Sequence, residues 1–226
     1  MTVEKFSKFK HHYRPDSFSK RSITDWSLND VEKIVGGQVT GYSEFLRFVA
    51  HSSFEGGLIR FLLPQLLFPF SLINWNSPNG WINSWQKYKD RLFVFAYDWL
   101  GRQIAFDRTR TISSELMISI LEPGTGEILE VPTGFINFME QELIEYHEAA
   151  LASSFYQEWR NVEGSIPEPN QCVGYKIPLF LGGTDTVDNL EIIDLDVYVT
   201  TCGGLFEGSL SLSKGQKISQ IHVDRG

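Results

Sequence analysis

The sequence predicts an α+β protein in which an antiparallel sheet of about four to six strands is flanked by helices. The chain has 226 residues, of which 42% are hydrophobic, and it carries 17 Phe, 8 Tyr and 6 Trp side chains that can build a core. Two hairpin patterns lie between residues 92 and 131, and segments with helical spacing lie on both sides of them. A chain of this length and composition can bury a large core without disulfide staples.

The sheet is predicted from two consecutive hairpins. Residues 92–106 contain two apolar runs joined by a tight connection, in which Gly101 supplies a positive φ. Residues 116–131 repeat the pattern around the turn Glu122-Pro123-Gly124-Thr125-Gly126, whose proline and glycines favour chain reversal. Asp98 and Arg102 stand at the two ends of the first turn, and we expect them to pair or to cap backbone groups there.

Helices are predicted before and after the hairpins from apolar residues spaced three or four apart. Pro15 ends the first helix, Ser43 or Gly41 caps the helix over residues 42–50, and Thr133 caps the helix that follows the sheet. A further helix covers residues 148–159 with Leu151, Ala152, Phe155 and Trp159 on its buried side. The apolar face of the first helix is predicted to consist of Val3, Phe6, Phe9 and Tyr13. The apolar face of the helix after the sheet is predicted to consist of Phe135, Phe138, Met139 and Leu143.

Residues 53–85 carry an unusual density of tryptophan. Glycines and prolines punctuate this stretch, so we expect short strands or helical turns joined by loops. Trp75, Trp81 and Trp85 favour a place in the core, with an aromatic anchor on the surface as the alternative. Later in the chain, residues 174–181 and 192–193 indicate strands, residues 195–205 fit a strand or a helix, and the tail 207–226 is polar.

The charge is unevenly distributed. The formal net charge is −8, yet residues 1–21 hold six cations against two carboxylates, and residues 111–170 hold eleven carboxylates against Arg160. Such a field repels nucleic acid and attracts a cationic partner. No apolar run fits a membrane span or a secretory signal, so we expect a cytoplasmic protein with no membrane partner, in which Cys172 and Cys202 are reduced and buried.

No residue pattern indicates catalysis, a metal site or a cofactor. The histidines have no metal-ligand spacing, and His147 among its neighbouring glutamates fits a solvated helix face better than a general base. Residues 182–186 (GGTDT) look superficially like a phosphate loop, but they lack a lysine and place Asp185 where an anion would lie, so a turn is expected.

Several motifs resemble one family. Residues 98–102 (DWLGR), 122–127 (EPGTGE) and 174–183 (GYKIPLFLGG), together with 42–45 (YSEF) and 53–60 (SFEGGLIR), resemble the GAD-like type VI secretion immunity proteins. The second half is also similar to the SUKH superfamily of α+β immunity scaffolds. The resemblance covers roughly residues 30–206 and implies a GAD-like region over 1–110 and an immunity region over 111–206, packed with it as one unit. The polar tail over 207–226 is predicted from its composition and has no counterpart in the family.

The same resemblance implies a partner. Such a protein is encoded beside an antibacterial effector, commonly a DNase, and neutralises that toxin in the producing cell by binding it. We expect the acidic side chains to cover the toxin's basic cleft, although charged runs also occur simply as solvated faces. The alternatives are an interaction scaffold without a toxin and an enzyme with an unrecognised site, and the sequence assigns no oligomeric state. The predicted toxin-binding residues are Glu140, Glu145, Glu148, Asp185, Asp188 and Glu191.

Overall fold

The protein is described by a computed structural model that covers residues 5–17, 28–49, 52–64 and 70–210. Val3 and Ala50, which the sequence assigns to helices, and residues 211–226 of the predicted polar tail lie outside the described residues. Within the covered ranges, no helix combines the length and the apolar character needed to cross a lipid bilayer.

Helices and strands alternate in groups along the chain. The helices are α1 (Ser7–His12), α2 (Leu28–Val35), α3 (Tyr42–Phe48), α4 (Leu72–Trp75), α5 (Phe135–Asn137), α6 (Leu143–Glu145), α7 (His147–Leu151), α8 (Ser153–Glu163) and α9 (Leu195–Ser209). The strands are β1 (Ser53–Phe54), β2 (Ile59–Phe61), β3 (Leu92–Asp98), β4 (Gln103–Ile112), β5 (Glu115–Glu122), β6 (Glu127–Val131), β7 (Gln171–Tyr175) and β8 (Leu190–Asp194).

The strands form two antiparallel sheets. Six strands pair in the order β1-β2-β3-β4-β5-β6, and β7 pairs with β8 in a separate small sheet. Both predicted hairpins are present, and Gly101 has a φ of 72° in the turn between β3 and β4. The predicted α+β class, with four to six antiparallel strands flanked by helices, is therefore confirmed.

The core lies between this sheet and the helices that cover it. Aromatic rings meet edge to face there, with the Phe135 centroid 5.4 Å from that of Phe95 and 5.0 Å from that of Tyr42. Between α5 and α6 the helical path continues as a π-helix over Phe138–Glu142. The predicted apolar face of this path is buried throughout, at Phe135, Phe138, Met139 and Leu143.

Three tryptophans of the region 53–85 belong to the same core. Trp75, Trp81 and Trp85 are each at most 2% exposed, and short helical turns and loops carry them, as the sequence predicts. The alternative in which they form a surface anchor is wrong, because their indole N–H groups are committed internally. Trp85, for example, donates to the Val199 carbonyl at 2.9 Å.

Four local predictions are wrong in detail. Gly134, and not Thr133, is the N-cap of α5. The helix expected over 148–159 is two helices, because Ala152 takes a left-handed conformation with φ 47°. The strand expected over 174–181 ends at Tyr175 and is followed by a 3-10 turn at Leu179–Leu181. The first three residues of the predicted tail, 207–209, complete α9, which resolves the choice at 195–205 in favour of a helix. The division of the chain into regions 1–110 and 111–206 stays a prediction, and residues 110 and 111 both lie in β4.

Candidate functional site

The six predicted carboxylates lie on two neighbouring parts of the structure. Glu140, Glu145 and Glu148 follow one another along the helical path from residue 138 to α7. Asp185 and Asp188 lie in the connection between β7 and β8, and Glu191 lies on β8. Helix α8, which carries none of the six, contacts α7 and also the short turn Val187–Asn189, so one helix connects the two groups. No hydrogen bond or ion pair joins the two groups among the described residues.

Glu140 is engaged inside the protein. Its two carboxylate oxygens accept the backbone N–H groups of Lys8 at 3.3 Å and of Phe9 at 3.1 Å. These N–H groups belong to the first turn of α1, where no residue of the helix can accept them. The N-cap residue of α1, Phe6, makes no side-chain bond. Glu140 therefore caps α1 from across the structure and is only partly available to a partner.

Glu148 is also a cap. Its carboxylate accepts the Ser153 hydroxyl and the Ser154 backbone N–H, both at 2.9 Å, at the start of α8. The hydrogen bond from the Ser154 N–H lowers the pKa of Glu148. Negative charge at this position also complements the positive end of the helix dipole. The left-handed Ala152 that divides α7 from α8 brings this carboxylate to the helix start.

His147 joins the same arrangement, which superficially resembles a catalytic triad. Its Nδ1 lies 2.6 Å from the Ser153 hydroxyl oxygen. In a triad the carboxylate orients the histidine and the histidine accepts the serine proton. Here the serine donates to Glu148, so its proton points away from His147, and all three groups lie toward solvent. The geometry matches a helix cap on a solvated surface.

In the second group, one carboxylate is hydrogen-bonded within the described part of the protein and the other two are not. Asp185 accepts the Tyr175 hydroxyl at 2.7 Å, and this bond closes the loop that the sequence likens to a phosphate loop. Gly182 takes a φ of 91° there, as a turn requires. The side chains of Asp188 and Glu191 are exposed, and in the covered part of the chain no hydrogen bond or ion pair is recorded for either carboxylate. Glu145 is exposed as well and accepts one long bond from Gln141, at 3.3 Å.

A buried polar network lies beneath this surface. Asp98 accepts the backbone N–H groups of Leu100 and Arg102 and, at 2.6 Å, the Arg102 side chain, as the sequence predicts. Arg102 also donates to the Ala150 carbonyl at 3.1 Å and lies 3.7 Å from the Glu122 carboxylate. Burial raises the pKa of Glu122 to about 7, although the charge of Arg102 opposes the rise. The network fixes the end of α7 to both hairpin turns.

Arg60 makes a second internal connection, which the sequence prediction missed. Its guanidinium is buried and donates to the backbone carbonyls of Pro167, Glu168 and Gln171. Its Nε donates to the Ser53 hydroxyl at 3.2 Å. The signal was available, because an arginine inside the apolar run 58–63 (LIRFLL) must find internal hydrogen-bond acceptors.

The remaining titratable groups do not converge on a reactive centre. No set of three or more His, Cys, Asp or Glu side chains is arranged to hold a metal ion in the ranges that the structure covers. Cys172 and Cys202 are free and buried, as predicted, and burial raises the pKa of Cys202 to about 12. A thiol in this state is a poor nucleophile at neutral pH.

Comparison with known proteins gives a family match over part of the chain and a similarity of fold to solved structures. Residues 133–206 match the family model described as T6SS immunity protein Tdi1, C-terminal. The fold is similar to the crystal structure of Atu4351 from Agrobacterium tumefaciens, with a TM-score of 0.55 over 88% of each chain and 11% sequence identity. At that identity the likeness concerns the fold alone. No curated protein matches this chain. The match over residues 133–206 supports a relationship to the type VI secretion immunity proteins.

Proposed function

We propose that this protein is a cytoplasmic immunity protein that binds a cognate type VI secreted toxin and neutralises it by occlusion, without catalysis of its own. The observation that carries the proposal is the match of residues 133–206 to the T6SS immunity protein family model. The same region contains the helix caps and the exposed carboxylates described above. The resemblance of residues 1–110 to GAD-like proteins and of residues 111–206 to SUKH scaffolds belongs to this proposal.

We further propose that the toxin is a nuclease and that this protein recognises the positive charge of its nucleic-acid-binding cleft. Residues 133–206 hold twelve carboxylates and only two cations, Arg160 and Lys176. A nuclease binds a polyanion through a basic cleft, and a surface of carboxylates complements that cleft. The partner would therefore be a basic protein, and nucleic acid itself would be repelled.

The internal bonds divide the six predicted contact residues by role. Asp188, Glu191 and Glu145 project into solvent and would meet the toxin directly. Glu140, Glu148 and Asp185 hold helix starts and a loop in place, so their contribution would be to shape the surface. Substitution of the first set is expected to weaken binding at unchanged stability, and substitution of the second set to lower stability as well.

The direct test is co-expression with the product of the adjacent open reading frame. We expect a co-purifying complex, protection of cells from that product, and an association rate that falls steeply between low and high salt. The double variant Asp188→Asn/Glu191→Gln should slow association, whereas Asp90→Asn/Glu127→Gln, which removes two exposed carboxylates outside residues 133–206, serves as the matched control.

Two results would contradict the proposal. Absence of both complex and protection removes the immunity function and favours a scaffold that binds some other protein. If a complex forms but its association rate is independent of salt, the proposed role of the acidic surface and the nuclease assignment are both wrong. The protein would then be an immunity protein that binds its toxin through other contacts.

A further inference from the structure

A cleft of about 360 Å³ lies outside the predicted site, where the turn between β4 and β5 meets the start of α5. Its size is near the lower end of the range for ligand pockets, roughly 300–1,000 Å³, which suits one side chain better than an extended peptide. Its walls combine apolar and polar groups. Ile112, Pro132 and Ile136 supply the apolar surface, and Ser113, Glu115, Thr133, Gly134 and Asn137 complete the lining.

Glu115 supplies the charge of the cleft. Its Oε2 lies over the Cα of Gly134, so closely that a Cβ at that position would be 2.8 Å from the oxygen. Glycine at 134 therefore allows the carboxylate to occupy this place. No hydrogen bond or ion pair is recorded for the Glu115 carboxylate in the described part of the chain, and the side chain is half-buried.

The rim of the cleft is conformationally strained. Ser113 and Ser114 form the two-residue turn between Ile112 and Glu115, and their φ angles are 49° and 71°. A turn of this kind favours Asn-Gly or Gly-Gly, because other residues pay for a left-handed conformation. Strain of this kind is concentrated at binding sites, where the surrounding structure maintains it. Here it holds the exposed Ile112 and the Glu115 carboxylate on the same side of the hairpin tip.

These features define the chemistry of the occupant. A single carboxylate beside aliphatic walls suits a lysine or arginine side chain, whose stem packs on apolar surface while its head is paired. The Ser113 hydroxyl and the Asn137 amide oxygen offer further acceptors to a guanidinium. An anion would be repelled by Glu115, and the chain as a whole, with a net charge of −8, attracts basic partners.

We propose that this cleft receives an arginine or lysine side chain of the toxin as an anchor of the complex. The inference rests on the proposed immunity function and adds a contact outside the acidic residues discussed above. Buried arginine anchors of this kind often account for a large part of the affinity of an interface.

The first experiment examines the cleft without the toxin. Titration of the protein with n-butylguanidinium, followed by amide chemical shifts, should move the signals of residues 113–115 and 134–137 in a saturable manner. Glu115→Gln should weaken this binding at least fivefold. Glu127→Gln, a matched exposed glutamate on β6, should leave it within twofold. Shifts scattered over other carboxylates, or equal binding by Glu115→Gln, would overturn the inference.

The second experiment uses the toxin and separates the two proposals. Glu115→Gln should weaken the complex at least tenfold, and Glu127→Gln less than twofold, with melting temperatures of both variants measured alongside. If Glu115→Gln lowers the melting temperature but not the affinity, the carboxylate only supports the start of α5 and the inference is wrong. If the wild-type chain binds the toxin and Glu115→Gln binds equally well, the anchor fails while the immunity function stands. If the wild-type chain itself does not bind the toxin, the proposed immunity function is wrong, and the toxin is then also wrong as the source of the side chain in the cleft.

Discussion

Replacement of Arg60 by methionine should destabilise the protein severely, because the arginine is a buried cation with four internal acceptors. The side chain is 2% exposed, and it donates to Ser53 and to three carbonyls of the 167–171 segment. A hydrogen bond from a charged group contributes about 1.5–3 kcal/mol, but water can reach part of this segment once the guanidinium is gone. We therefore expect a loss of about 3–5 kcal/mol in the free energy of unfolding, comparable to breaking a buried ion pair.

The assay is chemical and thermal unfolding of the variant beside a matched control. For a chain of this length the loss corresponds to a decrease of roughly 6–20 °C in melting temperature. Arg14→Met applies the same change to an exposed arginine and should have little effect. Arg60→Lys should recover only part of the loss, because one ammonium cannot reach four acceptors in the geometry of the guanidinium fork. A loss below about 1 kcal/mol for Arg60→Met would refute the reasoning, since the bonds would then contribute nothing net.

Three further substitutions test other parts of the structure. Gly101→Ala should lower the free energy of unfolding in urea by about 2–3 kcal/mol, because the position has a positive φ and the new Cβ would lie only 2.9 Å from the Cys172 sulfur. Gly182→Ala is the control: its φ is 91°, but no atom lies within 4 Å of the new Cβ, so the cost should be about 1 kcal/mol. Equal costs would mean that the structure relieves the close contact without loss of stability. Because burial raises the pKa of Glu122 from 4.5 to about 7, the folded state binds more protons than the unfolded state between these values, so the free energy of unfolding should fall by at most about 3 kcal/mol from pH 5 to 8. Glu122→Gln should remove that part of the pH dependence, and an unchanged profile would contradict the assignment. Glu140→Ala should cost about 1–2 kcal/mol through the lost cap on α1, against less than about 0.5 kcal/mol for the exposed Glu145→Ala, as measured by thermal unfolding; similar costs would argue against capping.

The central hairpins could be predicted from sequence because their signals are local. The apolar runs and the turn residues around Gly101 and Gly124 act within a few residues, and both hairpin predictions were correct. The break at Ala152 could not be predicted in this way, because alanine favours helix and the residue that stabilises the break, Glu148, acts on the N–H of Ser154 beyond it. Similarly, Thr133 is a good N-cap residue, but Gly134 takes the position in the structure, where the Glu115 carboxylate lies against it.

The candidate surface shows the same distinction between residue type and residue role. Sequence identifies Glu140 and Glu191 equally as acidic residues outside the core. The structure separates them, because Glu140 meets a helix start that is 131 positions away along the chain and Glu191 meets no recorded partner among the described residues. Long-range capping of this kind leaves no periodic trace in a sequence, so the division between structural and available carboxylates required the fold.

The region matched to the immunity family depends on the rest of the chain for its shape. Its internal bonds run outward, from Glu140 to α1, from the 167–171 segment to Arg60, and from the Val199 carbonyl in α9 to Trp85. The residues that set the positions of its exposed carboxylates therefore lie partly before residue 133, where the match begins. Two proteins that share this match can differ in the preceding scaffold and hence present their charges in different places. Under the proposed function, specificity for a toxin would change through residues that never touch it, because a shift of a supporting element moves every carboxylate that it positions.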